Sequence, residues 1–235
     1  MSDPLAATEE RRAALADALR RVRERISATG TDPTLVVVTK FFPASDAAAL
    51  VDLGVTDIGE NRDQEAAAKV AELEAGGRRP QRVHFIGQLQ SNKAAHVARY
   101  ADVVESVDRG KIVTALEKGA RAAERRLDVL LQVDLGGDDA GRGGVAPAGL
   151  SALAERVAES DVLDLRGLMA VAPLGEDPEA AFAHLADLHA RLRQAHPEAS
   201  WLSAGMSGDL ESALAHGATH VRVGSAILGA RPVAR

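Results

Sequence analysis

The chain has 235 residues, of which 46% are hydrophobic and only 3% aromatic, and its formal net charge is −6. This length and apolar content suffice for one large core, which small and branched side chains must fill. The absence of cysteine excludes a disulfide framework, an iron–sulfur cluster and a thiol nucleophile. The acidic balance, without a basic stripe, argues against a nucleic-acid partner, and no apolar run is long enough to span a membrane.

The N-terminal segment mixes Glu9 and Glu10 with arginines and lacks the apolar centre of an export signal. We therefore expect a soluble cytoplasmic protein. Within about residues 1–30, apolar side chains recur near helical spacing, which predicts a helix that packs on the outside or the bottom of the domain that follows.

Strand-like and helical patterns alternate along the rest of the chain. Short clusters of Val, Ile and Leu predict strands at residues 35–40, 57–61, 83–87, 103–107, 128–135, 164–171, 201–206 and 220–227. Helical stretches lie between them at residues 44–53, 64–74, 91–99, 110–124, 147–159, 178–196 and 209–216. Capping chemistry supports these limits, with Ser45, Ser91 and Ser207 as N-caps and Gly54, Gly217 and either Gly119 or Gly76 as C-caps.

Eight strand–helix units in a chain of this length predict a single (β/α)8 TIM barrel over residues 1–235. A doubly wound open sheet has the same alternation, but eight parallel strands in an open sheet usually need a longer chain or an added domain. The glycine-rich stretch 136–144 is predicted to be a flexible loop after the fifth strand. In such barrels the chemistry lies at the C-terminal ends of the strands.

Lys40 closes the apolar run of the first strand, so an amine is delivered to that end of the barrel. Apolar surroundings disfavour the charged form of a lysine and make it a nucleophile able to form a Schiff base with an aldehyde. An isolated lysine at a strand end would more often extend its amine into solvent.

The last two strands carry small residues suited to a phosphate. Barrels commonly bind phosphate through the loops after strands seven and eight. Here the seventh strand runs into Gly205-Met206-Ser207-Gly208, and Gly224 and Ser225 are predicted within the end of the eighth. Ser207 could alternatively only cap the next helix. An amine that faces a phosphate site predicts pyridoxal 5′-phosphate as the cofactor.

Two further residues are candidates for contacts with this cofactor. Arg222 lies two residues before Gly224, where it could donate to the pyridine nitrogen; a structural pairing with a carboxylate is equally compatible with its position. Asn61 ends the strand next to that of Lys40 and could bond the phenolic oxygen or the imine region, or cap the following helix. The histidines lack metal-ligand spacing, so no metal site is predicted.

Several motifs together resemble the pyridoxal phosphate homeostasis family (YggS/PROSC), over essentially the whole chain after the first helix. They are Thr39-Lys40, Gly59-Glu60-Asn61, Gln64-Glu65, His84-Phe85-Ile86-Gly87, Leu89-Gln90-Ser91-Asn92-Lys93, Arg166-Gly167-Leu168-Met169, Gly205-Met206-Ser207 and Val221 to Ile227, with Gly229-Ala230-Arg231. The resemblance implies a barrel like the N-terminal domain of alanine racemase. It also implies pyridoxal 5′-phosphate on Lys40, near Asn61, Ser207, Gly224 and Ser225, with Arg222 near the ring nitrogen.

The chain departs from the family pattern at two notable positions. Arg62 stands where the family often has an aromatic residue, and Gln88 replaces a usual proline. Arg62 could change what lies over the cofactor or what the surface binds.

Racemisation needs two proton-handling groups, one on each face of the substrate. The only tyrosine, Tyr100, is predicted at the end of a helix, and no second base is evident, so no catalytic residue is assigned. The leading hypothesis is a monomeric carrier and regulator of pyridoxal phosphate whose recipients are apo-enzymes. Two alternatives remain: a racemase or lyase that uses Lys93 or His84 as a base, and a Schiff-base aldolase.

Overall fold

A computed structural model describes residues 3–136, 143–173, 175 and 177–230. Eight parallel strands follow one another around a ring. They are β1 Thr34–Val38, β2 Asp57–Glu60, β3 Arg82–Phe85, β4 Val103–Val107, β5 Leu127–Gln132, β6 Leu163–Met169, β7 Trp201–Ser203 and β8 His220–Val223. The ring closes because β1 pairs with β8, where Val36 lies opposite Arg222. The predicted barrel is confirmed, and the open sheet is excluded.

Helices surround this ring. They are α1 Glu9–Ala28, α2 Ala44–Asp52, α3 Asp63–Ala75, α4 Ser91–Val97, α5 Gly110–Ala122, α6 Leu150–Ala158, α7 Pro178–Ala195, α8 Leu210–Ala215 and α9 Ser225–Leu228, with a 3-10 turn at Pro147–Gly149. None of the helices in the described ranges is long and apolar enough to cross a membrane.

Alternation along the strands sorts side chains into two layers. Val37 and Ile58 point outward into a continuous apolar layer between the barrel and the helices. Val36 and Val38 point inward, so Gly59 on the next strand faces both of them. Because β1 pairs in parallel with both β2 and β8, the C-terminal ends of these three strands lie side by side at the barrel mouth.

The predicted N-terminal helix forms and packs on the outside of the barrel. Its side chains Leu15, Leu19, Val22 and Ile26 are buried, and it contacts α2, α8 and α9. Thr8 caps its first turn by accepting a hydrogen bond from the Arg11 amide.

Some predicted limits are wrong. The eighth strand ends at Val223, and Ser225 begins α9 instead of extending the strand, because a short apolar run does not distinguish a strand from a helical turn. Gly119 is not a C-cap: it lies inside α5, where an added Cβ would be 2.5 Å from the Ala95 carbonyl oxygen.

The predicted N-caps are also wrong, because the residues at the N-cap positions of α2, α4 and α8 are Pro43, Gln90 and Asp209. The C-terminal glycines Gly54 and Gly217 adopt the positive φ expected after a helix. Most of the predicted flexible loop, residues 137–142, lies outside the described residues.

Candidate functional site

Lys40 lies just past β1, at the mouth of the barrel. The Thr39 amide donates to the Gly59 carbonyl at 3.0 Å, which continues the pairing of β1 and β2 beyond the last strand residue. Lys40 is half-buried, and its Nζ lies 5.9 Å from the centroid of the Phe41 ring. The amine therefore lies beside an aromatic ring; its role as a Schiff-base nucleophile stays a prediction.

Lys40 shares a cavity of about 130 Å³ with Gly224 and Ser225. Gly224 lets β8 approach β1 closely, because an added Cβ would lie 3.2 Å from the Val38 carbonyl oxygen. The first and last strands thus bring the amine and the predicted phosphate-binding residues into one space, although those residues belong to the start of α9 and not to a strand.

The two predicted phosphate-binding loops touch each other. The Ser225 hydroxyl lies 3.2 Å from the Ser207 hydroxyl, which also accepts a hydrogen bond from the Ala226 amide at 3.3 Å. The alternative interpretation, in which Ser207 only caps the next helix, is therefore wrong, because the N-cap residue of α8 is Asp209. Met206, on the same loop, is 38% exposed.

Two acidic residues near this loop are engaged with other groups. Asp209 accepts a hydrogen bond from the Met206 amide at 2.6 Å. Glu211 pairs with Arg25 of α1 at 2.7 Å, and this contact lowers the pKa of Glu211. The charge of Glu211 is therefore compensated by a guanidinium that also donates to the Ser207 carbonyl, which reduces the repulsion that it would exert on an anion there.

Asn61 follows β2 and is held by a close approach of the chain after β3. A Cβ on Gly87 would lie 2.2 Å from the Asn61 carbonyl oxygen, so only glycine fits at that position. In the described structure, the side-chain oxygen Oδ1 of Asn61 is buried and has no hydrogen-bond partner. This oxygen can accept a hydrogen bond from a ligand.

Asn61 also borders a second cavity, of about 490 Å³, together with Arg62, Gln88 and Lys93. The Arg62 guanidinium lies 5.0 Å from the centroid of the Phe41 ring. Arg62 thus covers one face of an aromatic ring that belongs to the residue after Lys40, and Phe41 lines the cavity that contains Lys40.

Arg222 is buried inside the barrel beneath the mouth, with 4% of its surface exposed. Its guanidinium donates to the Ser203 hydroxyl at 2.7 Å and to the Ala170 carbonyl at 2.8 Å, and it lies 3.6 Å from Glu105. Burial lowers its pKa, and the charge of Glu105 opposes this effect. The structural pairing with a carboxylate is present; a contact with a cofactor ring remains a prediction.

Comparison with known proteins identifies the family. The family described as alanine racemase, N-terminal domain, matches residues 11–232. The pyridoxal phosphate homeostasis protein of Mycobacterium tuberculosis is 42% identical over 254 residues, with 98% of each chain covered. That of Escherichia coli K12 is 38% identical and covers 92% of this chain and 97% of its own length. The chain belongs to the pyridoxal phosphate homeostasis protein family.

Solved structures agree with this membership. PipY of Synechococcus elongatus, solved with PLP bound, has a TM-score of 0.81 and 34% identity, with 92% of this chain and 100% of that chain covered. Alanine racemase of Corynebacterium glutamicum has a TM-score of 0.73 at 17% identity, and only 62% of that chain is covered. The second likeness concerns the fold alone.

In this member of the homeostasis family, the inside of the barrel carries a charged cluster that the sequence did not reveal. His84 is fully buried, with Nδ1 2.7 Å from Glu105 and Nε2 3.0 Å from Asp57. Burial alone would lower the pKa of His84, but the two carboxylates raise it to about 9. A signal did exist, since Glu105 is the one charged residue in β4, which otherwise consists of valines and Ser106.

The candidate second bases are not beside Lys40. His84 is 0% exposed and has carboxylates at both ring nitrogens. The Tyr100 hydroxyl donates to Asp63 at 3.4 Å, and burial raises its pKa. Lys93 lines the larger cavity and not the one that contains Lys40. Within the described ranges, no group of three or more His, Asp or Glu side chains could hold a metal ion.

A second lysine near the site was also missed. Lys69 of α3 is 4% exposed and pairs with Glu60 at the end of β2. Its spacing of four residues from Glu65 was the available signal, but that spacing is equally common on exposed helix faces.

Proposed function

We propose that the chain binds pyridoxal 5′-phosphate covalently through Lys40 and acts in intracellular cofactor homeostasis and carriage, not in catalysis. The observation that carries the proposal is the cavity that Lys40 shares with Gly224 and Ser225. Membership of a family whose relatives are named pyridoxal phosphate homeostasis proteins supports the same function.

The residues at the mouth fit this cofactor. The Ser207 and Ser225 hydroxyls would hold the phosphate, with Gly224 allowing close approach and the Met206 backbone beside them. The unpartnered Asn61 oxygen would accept a hydrogen bond from the pyridoxal group or its linkage. When bound, the cofactor supplies an aldehyde that the Lys40 amine can attack.

Arg222 would lie beneath the ring nitrogen. A guanidinium keeps its proton and donates, so it would leave that nitrogen unprotonated and weaken the ring as an electron sink. Among the described residues that line the cavity, only Lys40 and Ser225 have side chains that can transfer a proton. Both features favour storage and delivery over racemisation, which needs two opposed proton-handling groups.

We further propose that residues 1–235 form one monomeric domain and that apo-enzymes which depend on this cofactor receive it. The mouth supports direct delivery, because Ser225 and Met206 are exposed to solvent. A recipient could therefore approach the cofactor without rearrangement of the barrel.

The decisive experiment adds pyridoxal phosphate to the purified protein, reduces it with borohydride and locates the added mass by peptide mapping. We expect a yellow protein that is modified at Lys40, no uptake by Lys40→Ala, and unchanged uptake by Lys111→Ala, which alters an exposed lysine on α5. Transfer of the bound cofactor to an apo-enzyme should occur with wild type and not with Lys40→Ala.

Two results would contradict the proposal. A colourless protein that takes up no aldehyde would favour the Schiff-base aldolase. Amino-acid racemisation or decarboxylation at useful rates that is abolished in Lys40→Ala would favour an enzyme.

A further inference from the structure

Behind Lys40, on the outer side of the barrel wall, lies a polar group that we call the anchor cluster: Thr39, Glu60 and Lys69, which are buried, and Glu65, which is partly exposed. Thr39 directly follows β1 and Glu60 ends the neighbouring β2, while Glu65 and Lys69 lie one turn apart on α3. The side chains of Glu60 and Lys69 are 0% and 4% exposed. The cluster lies outside the cavity that Lys40 lines, although Glu65 borders the larger cavity next to Asn61.

Lys69 holds the peptide group that precedes Lys40. Its ammonium donates to the Thr39 carbonyl oxygen at 2.8 Å and also to Glu60. The Thr39 hydroxyl donates to the same Glu60 oxygen at 2.6 Å. One lysine therefore ties the end of β1 to the end of β2, directly before the reactive residue.

Glu65 holds the peptide group that follows Lys40. Its carboxylate accepts a hydrogen bond from the Phe41 amide and lies 3.8 Å from Lys69. Phe41 has a φ of +71°, a left-handed conformation that is unfavourable for an aromatic residue and persists only where its surroundings hold it. Both peptide groups that flank Lys40 are thus held from one helix.

Stability alone does not account for this arrangement. Removing two charges from water is unfavourable, and apolar side chains of similar size often stabilise a protein as well or better. Burial raises the pKa of Glu60, against the effect of Lys69, and its second oxygen has no hydrogen-bond partner in the structure described. A polar cluster at this place instead fixes the orientation of the backbone around Lys40, because its hydrogen bonds end on the carbonyl of Thr39 and the amide of Phe41.

We propose that Lys69 and Glu65 are positioning residues that fix the backbone on both sides of Lys40 and so direct its amine into the cavity at Gly224 and Ser225. The inference rests on the proposed function and deepens it. Neither residue contacts the cofactor; each acts through the main chain of Lys40.

The test compares two ligands that separate attachment from phosphate binding. Pyridoxal phosphate carries the aldehyde, whereas pyridoxine 5′-phosphate has a similar ring and the phosphate but no aldehyde. In Glu65→Ala, and in the double variant Glu60→Gln with Lys69→Met, we expect borohydride-trapped attachment at Lys40 to slow by about tenfold or more. Affinity for pyridoxine 5′-phosphate should change by less than about twofold, because the loops that carry Ser207 and Ser225 remain in place.

Two matched controls accompany these variants. Glu65→Gln keeps an oxygen that can accept the Phe41 hydrogen bond, and it should recover most of the attachment rate that Glu65→Ala loses. Lys111→Met makes the same change as Lys69→Met at an exposed position on α5, and it should attach the cofactor like wild type.

The outcomes separate the inference from the function on which it rests. If wild type attaches no cofactor, the proposed function fails. If wild type attaches it and the variants do so at the same rate, the positioning role is wrong and the proposed function stands. If the variants lose affinity for pyridoxine 5′-phosphate in step with slower attachment and lower thermal stability, the cluster is merely structural and the inference is overturned.

Discussion

The inside of the barrel and the layer outside it are built from different chemistry. Outside, a continuous apolar layer joins the strands to the helices. Inside, Val103, Leu130 and Met169 form a small apolar cluster with Trp201 packed against it. The remaining buried interior side chains include charged and hydroxyl groups: Asp57, His84, Glu105, Ser203 and Arg222.

This difference assigns stability to the apolar layer and the placement of individual polar side chains to the interior. The apolar layer is non-directional, so it favours closure of the barrel without specifying where any one polar group lies. The charged and hydroxyl groups inside the barrel form an interior cluster whose hydrogen bonds are directional. Glu105 is hydrogen-bonded to His84 and accepts a hydrogen bond from the Ser203 hydroxyl, which in turn accepts one from Arg222. Arg222 is thereby fixed beneath the mouth at the expense of desolvating several charges.

The largest effect is expected from breaking the interior cluster. Glu105→Ala should lower the free energy of unfolding by about 4 kcal/mol, because His84 and Arg222 would stay buried without their shared carboxylate. Urea unfolding followed by Trp201 fluorescence measures the loss. Glu24→Ala is the control, because its pair with Arg20 is exposed and should contribute less than about 0.5 kcal/mol. Equal effects of the two changes would refute the importance assigned to the cluster.

A change in the outer layer should affect stability without affecting the mouth. Leu116 of α5 is fully buried, so Leu116→Ala should cost about 3 kcal/mol through lost apolar contact and a residual cavity. Affinity for pyridoxal phosphate, measured where the variant is still folded, should stay within about twofold of wild type. A large loss of affinity would show that the two regions are not separable.

The sequence predicted the outer layer far better than the interior. Apolar strands and helix periodicity define the layer, and this repeat was enough to predict the barrel. The run Val103 to Val107 also predicted a strand, but alternation alone does not reveal which distant charges meet inside a closed ring. Asp57, His84 and Glu105 come from three strands, so their contacts depend on the register of the whole barrel.

At the mouth, the structure brings together part of the set of residues that the sequence singled out, while their contacts with a cofactor stay a prediction. Lys40, Gly224 and Ser225 do line one cavity, although the sequence placed the last two in a strand. Lys69 was missed because its contacts are with the backbone of Thr39 and with Glu60. An i,i+4 pattern on α3 does not indicate which side of the helix is buried.

The interior cluster should also make stability depend on pH. The pKa of His84 is raised from 6.5 to about 9, so its contribution is fully present below pH 6.5 and is lost as the pH rises through about 9. The free energy of unfolding should fall on the order of 2 kcal/mol between pH 7 and pH 10. Urea unfolding at each pH tests this. His84→Gln, which cannot titrate, should lose the fall, and parallel curves for the two proteins would be evidence against it.

The smallest effect is expected at the mouth of the barrel, where affinity for pyridoxal phosphate depends directly on neither the outer apolar layer nor the interior cluster. Ser207→Ala removes a hydroxyl that contacts Ser225 and the Ala226 amide, so affinity for pyridoxal phosphate should fall by about 1 kcal/mol, roughly fivefold. The free energy of unfolding should change by less than about 0.5 kcal/mol. Equilibrium dialysis measures the affinity, with Ser151→Ala on exposed α6 surface as the control. Loss of stability with unchanged affinity would instead assign Ser207 to a structural contact between the loop before α8 and the start of α9. The phosphate would then have to be held by Ser225 and the backbone around Gly224.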